Sequence, residues 1–345
     1  MKLPTLKKID VTGKNVLVRG DLDIEIDKEV LANRRFCAVI NTAHALKKAK
    51  KIIILGHRGR PEGNYREDLT LQPLASIMSN VLGENVKFIS FAPYLEDFYL
   101  KLSQKVNSQG KYFLVENLRF WTGEKENNTD FVNVLSSVGE LYVNDAFAAS
   151  HRASASIVGV ARNFKKKSCI GLNFEAELLH LDRVIINPKR PVVCLLSGLK
   201  KDKLNYAQGL EKIADKIIIA GRLPEYIEES AKKGKIIISH LNPDKEDITI
   251  HSIEAIEKAF EEAGTIILAG PVGKFEDPGH LLGTKRAFVA AACTKAYKLA
   301  GGGDTATALE TLGLADKFDW LSVGGGAMLE YLVNRTLPAI QALLD

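Results

Sequence analysis

Ile52-Ile53-Ile54-Leu55-Gly56-His57-Arg58-Gly59-Arg60 opens with four branched apolar residues and breaks abruptly into glycine, imidazole and guanidinium. A short apolar run with no polar alternation is what a strand buried on both faces requires, and such strands occur in parallel sheets covered by helices. The preceding segment, Phe36 to Ala49, carries apolar residues at helical spacing, which completes a helix-then-strand unit. The same alternation extends in both directions. Apolar runs recur at Val16 to Val18, Val86 to Ile89, Tyr112 to Val115 and Leu141 to Val143, then at Val192 to Leu196, Ile217 to Ile219, Ile236 to Ile238, Ile266 to Leu268 and Trp320 to Val323. Helical spacing fills Leu71 to Leu82, Asp130 to Val138, Ser252 to Ala263 and Arg286 to Tyr297. The pattern predicts an α/β protein with parallel sheets.

At 345 residues the chain exceeds the size at which one core stops growing, so two domains are expected. The runs fall into two batches of about five, separated by a helix-like stretch from Phe174 to Ile186 that ends at Asn187-Pro188. That places an N-terminal domain at 1–173, a connecting helix at 174–187 and a C-terminal domain at 188–335. With 46% hydrophobic and 26% charged residues the composition is that of an ordinary globular protein. A formal charge of +5, from 47 basic against 42 acidic residues well interspersed, is too mild for a nucleic-acid or polybasic membrane protein. Cys37, Cys169, Cys194 and Cys293 form no CxxC pair and read as buried free thiols in a reducing compartment. No stretch is long and apolar enough for a signal peptide or membrane span, so the expected location is the cytoplasm.

In an open parallel sheet, ligands bind beyond the carboxyl ends of the strands. Arg19, Asp21 and Asp23 follow the first run, His57, Arg58 and Arg60 the second, Glu116, Asn117 and Arg119 the fourth, and Asn144, Asp145, His151 and Arg152 the fifth. Guanidinium groups delivered by several strands to one edge suit a small, multiply anionic ligand. In the second half, Gly301-Gly302-Gly303-Asp304-Thr305 reads as a side-chain-free turn opening a helix, where amides and the helix dipole can face phosphate. Asp304 there is either a magnesium ligand or a helix cap. Lys200, Lys201 and Lys203 follow Ser197-Gly198, and Gly270-Pro271-Val272-Gly273 reads as another exposed-backbone turn. Walker, HExxH and GxSxG motifs are absent, and the GxGxxA match at Gly301 lacks the acidic residue a dinucleotide site wants after the next strand.

These residues resemble those of the phosphoglycerate kinase family over essentially the whole chain. The matching stretches are Val18 to Asp21, His57 to Pro61, Glu116 to Phe120, Val143 to Phe147, His151 to Ala153, Gly270 to Glu276, Gly283 to Lys285, Gly301 to Thr305 and Gly324 to Ala327. The resemblance implies two doubly wound, Rossmann-like domains joined by a hinge helix, with residues 336–345 returning to the first domain. It implies reversible phosphoryl transfer between 1,3-bisphosphoglycerate and MgADP, a step of glycolysis and gluconeogenesis, by a monomer. It also implies roles: Arg19, Asp21, Asp23, His57, Arg60, Arg119 and Arg152 for the phosphorylated acid, and Arg35, Lys200 and Lys203 for catalysis. Gly198, Lys203, Gly270, Glu276, Gly301, Gly302, Gly303, Asp304, Thr305 and Gly324 would meet the nucleotide, with Asp304 on Mg²⁺. The sequence departs from the family's pattern at Asp23, Ser154 and Ala269 and across a shortened second domain. A non-catalytic homologue that binds a phosphorylated acid but little nucleotide is the alternative expectation.

Overall fold

A computed structural model describes residues 3–227 and 235–345. It divides into two units, Met1–Glu177 with Thr336–Asp345, and Leu178–Arg335. The division falls inside the helix Leu172–Ile186, which carries the chain from one unit to the next.

In the first unit, strands β1 (Asn15–Arg19), β2 (Lys51–Leu55), β3 (Val86–Ile89), β4 (Tyr112–Val115), β5 (Leu141–Asn144) and β6 (Ser168–Ile170) form one sheet in the order β3-β4-β2-β1-β5-β6. Every pairing in it is parallel. The registers place Arg19 beside Leu55 and Asn144, so the segments after β1, β2 and β5 leave the sheet from one edge. Val16, Leu17, Val18 and Ile52 to Ile54 are wholly buried, as the uninterrupted apolar runs require. Asn33 starts the helix Arg34–Ala45, its side chain accepting from the amides of Arg35 and Phe36. The C-terminal helix Pro338–Leu344 buries Ala339, Ile340, Ala342 and Leu343. The Ala339 amide donates to the Ser150 carbonyl at 3.2 Å, and Arg162 pairs with Asp345 at 2.9 Å, which ties this last segment to the first unit.

The second unit repeats the plan with β7 (Val192–Leu196), β8 (Lys216–Ile219), β9 (Ile236–Ile238), β10 (Thr265–Ala269), β11 (Tyr297–Gly301) and β12 (Trp320–Ser322), ordered β12-β11-β10-β7-β8-β9 and again all parallel. Each unit therefore winds outward from a central strand in one direction and then in the other.

The structure corrects the sequence expectations in several places. Each sheet has six strands rather than five, because β6 and β11 escape the apolar-run criterion. Tyr297 begins β11 and does not end a helix; the helix before it is Leu282–Cys293. Lys298 breaks the apolar pattern of β11, yet it is buried because its ammonium donates to the carbonyls of Thr294 and Ala296. The helix Leu95–Asn107 was not expected either. Of the four thiols only Cys169 and Cys194 are buried, while Cys37 is half-buried and Cys293 exposed.

Candidate functional site

In the first unit the winding direction reverses between β1 and β5, and the side chains leaving that edge converge. Arg19, the last residue of β1, is 1% exposed. Its Nε donates to Ser156 Oγ at 2.8 Å, one terminal nitrogen to the Gly20 carbonyl, and the other to His57 Nδ1 at 2.7 Å. His57 is buried too, and its pKa lies well below the ordinary value, first through burial and then through Arg19, Arg119, Arg152 and Arg35. One imidazole thus lies within the field of four guanidinium groups. It is neutral, and with Nδ1 accepting from Arg19 its proton belongs on Nε2, a tautomer assigned from this network.

The neighbours fix this arrangement. Arg35 donates to the Asp23 carbonyl at 2.7 Å, and the Asp23 carboxylate accepts from the Gly59 amide at 2.8 Å and stands 3.7 Å from His57 Nε2. Asp21, buried, accepts from the Ala148 amide at 2.8 Å; burial raises its pKa against the opposing pull of Arg35 and Arg19. Arg119 donates to the Gly59 carbonyl at 2.6 Å, and its pKa falls to about 10 through burial, followed by Arg152 and Arg19. It remains a cation at neutral pH. Arg152 is exposed beside His151. Cations collected this closely repel one another unless an anion joins them, which makes this edge of the sheet a candidate anion site. Arg60 is exposed and makes no hydrogen bond or ion pair among the described residues.

In the second unit the reversal falls between β7 and β10, where the two strand ends meet. The Ser197 amide donates to the Ala269 carbonyl at 3.1 Å and its hydroxyl to the Pro271 carbonyl at 2.6 Å. Gly270, at φ 125°, passes so close that a Cβ there would stand 2.1 Å from the Ser197 carbonyl oxygen. Gly198 has φ 130°. Lys203 lies over this junction, its ammonium donating to the carbonyls of Ser197 at 2.6 Å and Ala269 at 3.0 Å. Its pKa is lowered by burial in the first place, with Asp304 opposing and Lys200 reinforcing. Lys203, Lys200 and Asp304 therefore share one locality, and Lys200 and Asp304 are exposed.

Asp304 lies in the first turn of the helix Gly303–Thr311, whose cap residue Gly302, at φ 107°, offers no side chain to its amides. The start of a second helix, Gly325–Asn334, is adjacent, since a Cβ on Gly325 would stand 2.8 Å from the Gly302 Cα. Two helix N-termini side by side suit an anion. Gly301, the last residue of β11, is buried, and Thr305 is buried with its hydroxyl donating to the Gly301 carbonyl at 3.0 Å. The Gly324 amide donates to Ser322 Oγ at 3.3 Å. The turn after Gly270 is less open than its sequence suggested: the amides of Val272 and Gly273 both donate to Thr284 Oγ1 at 3.1 Å. Glu276 is exposed and makes no hydrogen bond or ion pair among the described residues.

Among the described residues no three His, Cys, Asp or Glu side chains cluster as a metal cage. A lone exposed Asp304 fits magnesium differently, because Mg²⁺ keeps several waters and takes its remaining ligands from one or two carboxylates and substrate phosphates. Sequence reasoning missed Glu124 and Ser156 behind Arg19. Their contact spans 32 residues, and neither stands at a strand end.

The sequence model of the phosphoglycerate kinase family matches residues 6–245 and 227–335. Curated phosphoglycerate kinases of Dictyoglomus turgidum and Desulfovibrio desulfuricans are 32% and 30% identical to the chain, covering 99% and 100% of it and 98% and 100% of themselves. The alignments run to 393 and 398 residues against a chain of 345, so these relatives carry some tens of residues that it lacks. A solved phosphoglycerate kinase from Coxiella burnetii superposes with a TM-score of 0.79 at 27% identity, covering 99% of both chains. One from Pyrococcus horikoshii, at 24% identity and the same TM-score, shares the fold. No helix among the described residues is long and apolar enough to cross a membrane. The chain belongs to the phosphoglycerate kinase family and is a phosphotransferase.

Proposed function

We propose that the chain transfers a phosphoryl group between MgATP and 3-phosphoglycerate, reversibly forming 1,3-bisphosphoglycerate and MgADP. The observation that carries this reading is the buried His57 imidazole hydrogen-bonded to Arg19 at 2.7 Å, with Arg35, Arg119 and Arg152 acting on it electrostatically. Arg35, Arg119 and Arg152, with the His57 Nε2 proton, hold the phosphate and carboxylate of the acid. Asp21 and Asp23 brace the cations and leave the site less positive than its arginines alone would make it. In the second unit the glycine-lined helix starts and Lys203 receive the nucleotide phosphates, and Asp304 holds their magnesium. Gly198 and Gly270 keep the backbone beneath Lys203 free of side chains.

In this reading a carboxylate oxygen of 3-phosphoglycerate attacks the terminal phosphorus of ATP, and the bond from that phosphorus to the bridging oxygen of ADP breaks. Both nucleophile and leaving group come from the substrates, so the protein positions them and compensates charge. Arg35 and Lys200 serve the transferring group. Arg60 and Glu276, exposed and without a hydrogen bond or ion pair among the described residues, contribute least. The four cysteines are free of disulfides, two of them buried, which supports a reducing cytoplasm. Calorimetric titrations test the reading: 3-phosphoglycerate binds the wild type and is lost in Arg119→Met, while MgADP binding is lost in Asp304→Ala and kept in Arg119→Met. Absence of MgADP binding to the wild type refutes a kinase and restores the non-catalytic alternative.

A further inference from the structure

Behind Arg19 lies a buried polar chain that the proposed function does not use. Glu124, in the short helix Thr122–Glu126, is 2% exposed. Its Oε2 accepts from the Ser156 amide at 3.0 Å and its Oε1 from the Ser156 hydroxyl at 2.6 Å. A guanidinium can only donate, so Ser156 Oγ accepts from Arg19 Nε, 2.8 Å away, and turns its own proton to Glu124. Arg19 then spends another N–H on His57 Nδ1 at 2.7 Å. Ser156 is itself held in place, its carbonyl accepting from the Tyr142 hydroxyl at 2.5 Å.

Every direction in this chain follows from Arg19, which has N–H groups and no acceptor to offer, so Ser156 must accept from it. Arg19, permanently protonated and 1% exposed, must donate to His57, so Nδ1 carries a lone pair and Nε2 the proton. A buried carboxylate is costly unless hydrogen-bonded and near a cation, and this one reaches its cation through a serine. Glu124 also acts electrostatically on Arg119.

We propose that Glu124 is a positioning residue of the acid-binding site: through Ser156 it orients the Arg19 guanidinium, and through Arg19 it fixes His57 as the Nε2–H tautomer. This rests on the assignment of that site to 3-phosphoglycerate. The relay presents one neutral donor, rather than a lone pair, to an anionic ligand. A lone pair on Nε2 would repel a phosphate or carboxylate oxygen.

The test uses the full chain with Glu124→Gln, which keeps the shape but removes the charge, and Ser156→Ala, which cuts the relay and leaves Glu124 in place. Long-range ¹H–¹⁵N NMR of the His57 ring reads the tautomer, and steady-state kinetics with MgATP and 3-phosphoglycerate read the consequence. We expect the wild type to show an unprotonated Nδ1 and both variants to show exchange-averaged ring nitrogens. The kcat/KM for 3-phosphoglycerate should fall about 10- to 100-fold, the range for removing the outer partner that orients a ligating histidine. The KM for MgATP should stay within about twofold of wild type. A wild-type tautomer in both variants overturns the proposal. So does an equal loss for both substrates accompanied by a lower Tm, which is the signature of a merely structural role. A wild type that does not turn over 3-phosphoglycerate instead refutes the functional reading, and the NMR result then decides the relay by itself.

Discussion

Replacing Gly270 by alanine adds one methyl group where β7 and β10 end together. The residue sits at φ 125°, which L side chains rarely adopt, and its new Cβ would lie 2.1 Å from the Ser197 carbonyl oxygen, 2.6 Å from its carbon and 3.0 Å from the Lys203 ammonium. Backbone strain of this kind costs about 1–3 kcal/mol. Overpacking against rigid backbone adds roughly another 1–3 kcal/mol, because a carbonyl cannot step aside as a side-chain end can. The expected destabilisation is therefore about 2–6 kcal/mol, a large share of the roughly 5–15 kcal/mol that holds a typical domain folded. Gly83 is the control: it also has positive φ, at 69°, but a Cβ there meets nothing within 4 Å, so Gly83→Ala should lose only about 1–2 kcal/mol. Displacing Lys203 from the Ser197 and Ala269 carbonyls should also weaken nucleotide binding. A charge-assisted hydrogen bond is worth about 1.5–3 kcal/mol, or about 10- to 100-fold in affinity. Urea melts of both variants and calorimetry with MgADP measure these effects. Equal destabilisation of the two variants, with MgADP affinity unchanged in Gly270→Ala, would refute the close-approach argument.

Arg35→Ala should lower kcat by about 100- to 1,000-fold with a smaller rise in KM for 3-phosphoglycerate, as expected of a charge that acts mainly in the transition state; comparable losses in KM alone would place it in ground-state binding. His57, with its pKa depressed below 6.5, takes up its proton in the unfolded chain before the folded one. Its contribution to stability is therefore complete above about pH 6.5 and declines as the pH falls below it, so the stability lost between pH 7.5 and 5 in urea melts should shrink in His57→Gln. Thr284→Ala leaves the amides of Val272 and Gly273 without their acceptor and should cost about 1–3 kcal/mol by chemical denaturation, whereas Thr284→Ser should recover most of it.

The sheet edges were legible because the apolar runs are uninterrupted: once Val16 to Val18 and Ile52 to Leu55 are parallel strands, Arg19 and His57 must emerge on one side. The same logic brought out Arg119 and Arg152, but it gave Arg60 equal weight, and whether a loop residue turns inward or into solvent is decided by packing that spacing does not encode. Strand β11 was hidden by Lys298, a charge whose burial depends on the carbonyls of Thr294 and Ala296. The turn at Gly270 looked open because Thr284, which occupies its amides, lies a dozen residues further on. Glu124 and Ser156 illustrate the same limit, since a carboxylate in a polar stretch and a serine among small residues acquire meaning only when the fold sets them beside Arg19.

The central claim, direct transfer between two substrates held by cationic and glycine-lined sites, is tested by a single turnover of enzyme with γ-³²P-labelled MgATP and 3-phosphoglycerate, quenched and then divided, with only one half treated with hydroxylamine. The account predicts label in a hydroxylamine-sensitive acyl phosphate on the acid, none bound to protein, and loss of the product in Asp304→Ala. Label on the polypeptide, or found only as inorganic phosphate in the untreated half, would contradict it.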